Sequence, residues 1–288
     1  MMYGSEVLFW SVPPQNVSAQ DLGFTWLAYS LSTYVFLALL VQFRITAWYG
    51  LFLCGAVYGW LIEGVIVGEM YKSFPVQLAW TPLAWHMLLT VFVVFWLPRT
   101  LAVASLIRQL LTLLAMGVGF GIWALWWPIE RQPIPEPTQV FTYLVGLAVF
   151  PIAAQFALDR WGVSLLAISR WEGIAVSSLL GALWLVQAAV TLRPEMLALP
   201  VLVGITLAAL RHQPDGVLLL EQWLQKPVQP MRHHFFAAVP VLVWAMSTVA
   251  WAIEYYPPTN TVIFFVTTPL SVLVYMECLR RAFAQKIQ

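Results

Sequence analysis

The chain has 288 residues, of which 61% are apolar and 9% charged, with a formal net charge of +1. Charge this sparse, with no basic cluster interleaved with aromatics in a soluble segment, excludes a nucleic-acid-binding domain. The apolar residues come in runs of about twenty, the length a helix needs to cross ~30 Å of hydrocarbon, whereas a β-barrel would show short alternating segments.

The predicted fold class is therefore all-α, a polytopic integral membrane bundle of nine transmembrane helices. The spans run roughly over 22–42, 47–67, 76–98, 104–127, 138–158, 173–193, 195–210, 234–253 and 260–280, the seventh being short. Residues 1–21 read as a retained interfacial tail, because they lack the basic start and long apolar stretch of a cleaved signal peptide. Short connections make residues 1–288 one transmembrane domain. The longest loop, 211–233, holds Val217 to Leu224 between Pro214 and Pro227 and reads as a short amphipathic helix on the cytoplasmic surface.

Placing the N-terminus outside puts eleven of the fourteen Lys and Arg residues on the cytoplasmic side, including Lys226 and Lys286, and leaves Lys72, Arg131 and Arg193 outside. This satisfies the positive-inside rule and makes the C-terminus cytoplasmic, as in a bacterial inner membrane. On the same map eight acids face outward against five inward, an asymmetry that insertion does not demand. Cys54 and Cys278 fall within spans and read as packing residues.

The candidate site begins in the second span. Gly55, Gly59 and Glu63 recur every four residues, so they share one helical face on which another helix can approach closely. An ionisable group in hydrocarbon costs at least ~2.5 kcal/mol, which marks Glu63 as functional. In the third span Thr81 and Pro82 read as N-cap and first helical residue, giving a short helix, a depressed outer entrance and His86 one turn deeper. Glu63 and His86 are expected to pair.

Further along, Trp123, Trp127 and Glu130 close the fourth span, and Trp251, Glu254 and Tyr255 close the eighth. Glu63, His86 and Glu254 are the candidate catalytic groups. Trp60, Trp85, Trp123, Trp127, Glu130 and Tyr255 are the candidate substrate-binding groups, since aromatic faces near carboxylates stabilise cations. Many of the tryptophans also suit an aromatic belt at headgroup depth. Pro151, Pro200, Pro240 and Pro269 each remove a backbone hydrogen bond from a later span. Glu277 is spaced to pair with Arg280 and Arg281, Arg170 and Glu172 to reach headgroups, and His233 and His234 to face solvent or lipid.

No paired-aspartate diphosphate motif, H-E-x-x-H pair or G-x-S-x-G elbow occurs, and His86 stands alone in the outer half, so neither metal nor other cofactor is expected. The expected partners are membrane lipids and an apolar small molecule; the oligomeric state is open. Three functions fit. The first is an enzyme acting by proton transfer on a neutral isoprenoid or lipid, as a cyclase, hydratase or isomerase does. The second is a cation- or proton-coupled transporter or channel. The third is a non-catalytic helical subunit or assembly factor whose buried polar groups serve helix association.

Overall fold

The computed structural model describes residues 1–15, 17–225 and 228–285, and the described residues are helical, with no strand among them. Lys226, Pro227 and Lys286 of the sequence reading lie outside them. Eight helices are long and apolar enough to cross a membrane: α1 Gln20–Gln42, α2 Trp48–Ile66, α3 Val76–Leu101, α4 Leu106–Glu130, α5 Pro137–Trp161, α6 Arg170–Thr191, α8 Met231–Ala252 and α9 Thr259–Ala284. The seventh expected span is the shorter apolar helix α7, Pro194–Leu210. The protein is thus an integral, multi-pass, all-α membrane protein. The surface segment predicted in the long loop is the helix Leu219–Gln225.

The chain divides into two compact units, whose boundaries fall inside α1, α3 and α9. The first comprises Met1–Leu22, Val93–Trp161 and Lys226–Val266, and the second Gly23–Phe92, Gly162–Gln225 and Thr267–Gln288.

In the first unit, α4 and α8 pack along a glycine seam. A Cβ at Gly117 would lie 2.6 Å from Leu242 Cδ1, and one at Gly121 2.6 Å from Met246 Sδ, so a side chain at either position would have to displace its neighbour on α8. Both contacts keep one sequence offset, which means that the two helices run parallel. The N-terminal turns Tyr3–Trp10 are bound into this unit. Tyr3 Oη donates to Leu144 O at 2.7 Å and Trp123 Nε1 to Phe9 O at 2.6 Å, while Val7 and Leu8 are buried.

In the second unit, α2 is buried all round, from Tyr49 to Trp60, as its uninterrupted apolar sequence requires. Trp60 meets Tyr275 of α9 edge-on at 5.2 Å, and Tyr275 Oη is 2.8 Å from Thr206 Oγ1 of α7. Trp184 Nε1 of α6 donates to Tyr71 Oη, which donates in turn to Gly64 O of α2 at 2.9 Å. Cys54 and Cys278 are buried free thiols. Glu277 pairs with both Arg280 and Arg281.

One expectation is corrected here. The α3 helix does not begin at Pro82: a turn at Val76–Leu78 leads into a wide helix over Trp80–Trp96, and Leu83 and Ala84 N both donate to Ala79 O. Pro82 is tolerated because the first turn has no use for its missing N–H. Thr81 Oγ1 is buried without a hydrogen-bond partner among the described residues, so it caps nothing, and the span is full length. Glu172, exposed at the start of α6, also has a local structural role. It closes a capping box with Ser169 and accepts from Tyr34 Oη at 3.3 Å. All four prolines lie within the apolar helices, Pro151 in α5, Pro200 in α7, Pro240 in α8 and Pro269 in α9. Pro269 stands in an unbroken regular helix, whereas Pro151, Pro200 and Pro240 stand in the first turn of the regular segments Val149–Trp161, Ala198–Leu210 and Ala238–Ala252, which follow wider or tighter turns of the same helices.

Candidate functional site

The site is built on the crossing of α2 and α3. Gly59 lies so close to Pro82 that an added Cβ would be 2.1 Å from the Pro82 carbonyl oxygen, while a Cβ at Gly55 would meet Met87 and Val91 at 3.3 Å. Side chains lean toward the N-terminus of their own helix. Glu63, one turn beyond Gly59 in α2, therefore leans back toward the crossing, and His86, one turn beyond Pro82 in α3, does the same.

They meet there: His86 Nε2 and Glu63 Oε1 are 2.8 Å apart, with Glu63 5% and His86 3% exposed. The second carboxylate oxygen, Oε2, is buried with no hydrogen-bond partner among the described residues. Glu63 falls in the wide turn Ile62–Ile66, and Val67 N donates across it to Ile62 O at 2.8 Å. Such turns recur at functional positions, where they re-aim a side chain.

Two tyrosines that sequence reasoning missed flank the imidazole. Tyr58 of α2 stands edge-on at 6.0 Å between ring centroids and Tyr29 of α1 lies tilted at 6.3 Å, and both are buried. Tyr58 sits five residues before Glu63, a spacing that carries no signal in a regular α-helix. Tyr29 could have been suspected as a polar-tipped residue in the middle of a span.

Chemically, the contact can be made by imidazole Nε2–H donating to the carboxylate or by a protonated carboxyl donating to Nε2. Both forms preserve the 2.8 Å contact, and the open Oε2 supplies an acceptor, or a donor when protonated. Such a group is equipped to hand a proton to a third molecule.

The other predicted residues are placed as follows. Trp60 is buried with its Nε1 donating to Leu78 O at 3.0 Å, and Trp85 is buried in the same unit. Trp123, Trp127, Glu130, Glu254 and Tyr255 belong to the first unit. There Trp126 and Trp127 stack at 4.0 Å, and the Arg131 guanidinium lies 4.4 Å from the Trp10 ring and 5.2 Å from that of Trp127. These faces already hold a cation belonging to the chain. Glu130 and Tyr255 are exposed. Glu254 is also exposed, at φ 57° in the turn after α8, where its N–H donates to Trp251 O.

A second buried polar cluster, in the first unit, escaped the sequence reading. The Asp159 carboxylate of α5 is ion-paired with Arg99 of α3 through Oδ1 and lies 2.6 Å from His233 Nε2 through Oδ2. His233 is 5% exposed, which corrects the solvent- or lipid-facing role expected for it; His234 is exposed. The physical reason is Asp159, which lies 74 residues away in sequence and gives the ring a carboxylate partner. Among the described residues, no group of three or more His, Cys, Asp or Glu side chains is placed to hold a metal ion. Comparison with known protein families, with curated proteins and with solved structures finds no match.

Proposed function

We propose that the protein is an intramembrane enzyme in which Glu63 and His86 carry out acid–base proton transfer on a neutral apolar molecule, an isoprenoid or other lipid, entering from the bilayer. The observation that carries this reading is the buried pair with its uncommitted oxygen: a structural ion pair would be expected to satisfy both oxygens of the carboxylate. Glu63 is the proton donor and His86 the group that reprotonates it. Tyr29, Tyr58, Trp60 and Trp85 provide the apolar and aromatic surroundings in which a developing carbocation is stabilised.

The test compares apolar extracts of membranes carrying the wild type or Glu63→Gln, grown in deuterated water. A product enriched at least about tenfold by the wild type and carrying deuterium is the expected result, since general acid catalysis contributes ~10²–10⁴-fold. Identical extracts from two equally expressed proteins would refute the enzyme reading.

A second reading, proton-coupled transport, is favoured by one specific observation, the Arg99–Asp159–His233 cluster. It supplies acid–base groups at the span ends read as cytoplasmic, where the sequence had shown few polar groups to continue a path. Under that reading, proteoliposomes should show a proton flux that Glu63→Gln and Asp159→Asn each reduce at least about tenfold. Flux equal to that of empty vesicles removes it.

A further inference from the structure

Four helix ends of the first unit come together around Asp159: the end of α3 through Arg99, the start of α4 through Gln109, the end of α5 through Asp159 itself, and the start of α8 through Arg232 and His233. Ends of apolar spans lie at headgroup depth, so this cluster borders the phosphate layer of one leaflet. Its charge is unbalanced. Arg99, Arg108, Arg160 and Arg232 stand at this end, and Asp159 is the one carboxylate there among the described residues.

Arg99 spends its charge on Asp159, but Arg232 has no carboxylate partner among the described residues. Its Nη1 donates to Gln109 Oε1 at 3.0 Å and to Ala104 O at 3.3 Å, and Gln109 Nε2 donates back to Arg232 O at 2.9 Å. These bonds fix the guanidinium plane. The donors on Nε and Nη2 keep no protein acceptor among the described residues, and Arg232 is half-buried.

The fixed fork opens on a recess lined by Gln109, Gln155, Arg232 and His233 on its polar side and by Leu113, Pro151 and Phe236 on its apolar side. The recess itself measures about 20 Å³, room for one water, so a larger group could only rest against it from outside, on the Arg232 side. An oriented guanidinium with two unused donor positions matches the two non-bridging oxygens of a phosphodiester. The apolar wall suits the first carbons of acyl chains.

We infer that this recess binds the phosphodiester headgroup of an anionic phospholipid, with Arg232 as the residue that grips it. Delipidated protein in detergent is titrated with phosphatidylglycerol or phosphatidylcholine and read by native mass spectrometry. The wild type should retain phosphatidylglycerol about tenfold better than phosphatidylcholine, and Arg232→Gln should erase that preference. Arg108→Gln and Arg160→Gln, which remove exposed charges at the same end, should change it by less than about twofold. Arg232→Lys keeps the charge but not the fork and should fall between, about threefold below wild type. It also serves as the folded comparison if Arg232→Gln is unstable. Equal retention of the two lipids, or equal losses from all three glutamine variants, overturns the site in favour of a diffuse basic surface. Displacement of the lipid by excess inorganic phosphate overturns the lipid assignment in favour of a soluble anion.

Discussion

Gly59→Ala is expected to disrupt the second unit more than any other single methyl group added to α2. The new Cβ would lie 2.1 Å from the Pro82 carbonyl oxygen, whereas carbon–oxygen contacts settle at ~3.3–3.6 Å. The two helices would have to separate by more than ~1 Å, and the obstacle is backbone, which cannot rotate away. Overpacking of this kind costs ~1–3 kcal/mol and here belongs at the upper end or beyond. The loss reaches the site as well, because the crossing brings Glu63 and His86 to 2.8 Å. Thermal unfolding in detergent should show a large drop for Gly59→Ala and a small one for Gly55→Ala, whose new Cβ meets only side chains at 3.3 Å. Similar melting curves for the two variants would contradict the close crossing.

Asp159→Ala is expected to destabilise the first unit by ~3 kcal/mol or somewhat more, the low end of the range for stranding a buried charge, because the Asp159 side chain is itself 26% exposed. The charge left behind is Arg99, whose side chain is 1% exposed. His233 loses the acceptor on its Nε2 in the same step. The paired replacement Arg99→Met with Asp159→Leu removes both charges and should recover much of the loss, since apolar substitutes for a buried ion pair are often neutral. A double-mutant cycle by chemical unfolding measures the difference. If Asp159→Ala stays within ~1 kcal/mol of wild type, the cluster is solvated and of little structural weight.

The membrane helices were legible because a helix in hydrocarbon needs both length and apolarity, and both can be read residue by residue. The approach of α3 to α2 was legible for a similar reason: Gly55 and Gly59 repeat at the helical period and leave a gap that another backbone fills. The start of α3 was not. A proline in the first turn looks the same in sequence whether it is the first residue of the helix or, as with Pro82 after Trp80, slightly further in. His233 was misread because its sequence neighbours, Arg232 and His234, are polar and suggest solvent, while the partner that buries it comes from α5. Arg131 looked like a loop charge, and nothing local to it tells that Trp10 and Trp127 present their faces to it. In each of these cases the missing information was a contact between residues distant in the chain.

The burial of both thiols makes the wild-type chain a quiet background for chemical probes. Cys54 and Cys278 are 0% exposed, so a maleimide in the aqueous phase has no native sulfur to reach. A cysteine placed at exposed Ser73, in the connection between α2 and α3, becomes the one thiol a reagent meets, and one placed at exposed Asp215, after α7, does the same for another connection. Impermeant and permeant reagents applied to intact cells then report which side of the membrane each connection occupies, without first replacing the native cysteines.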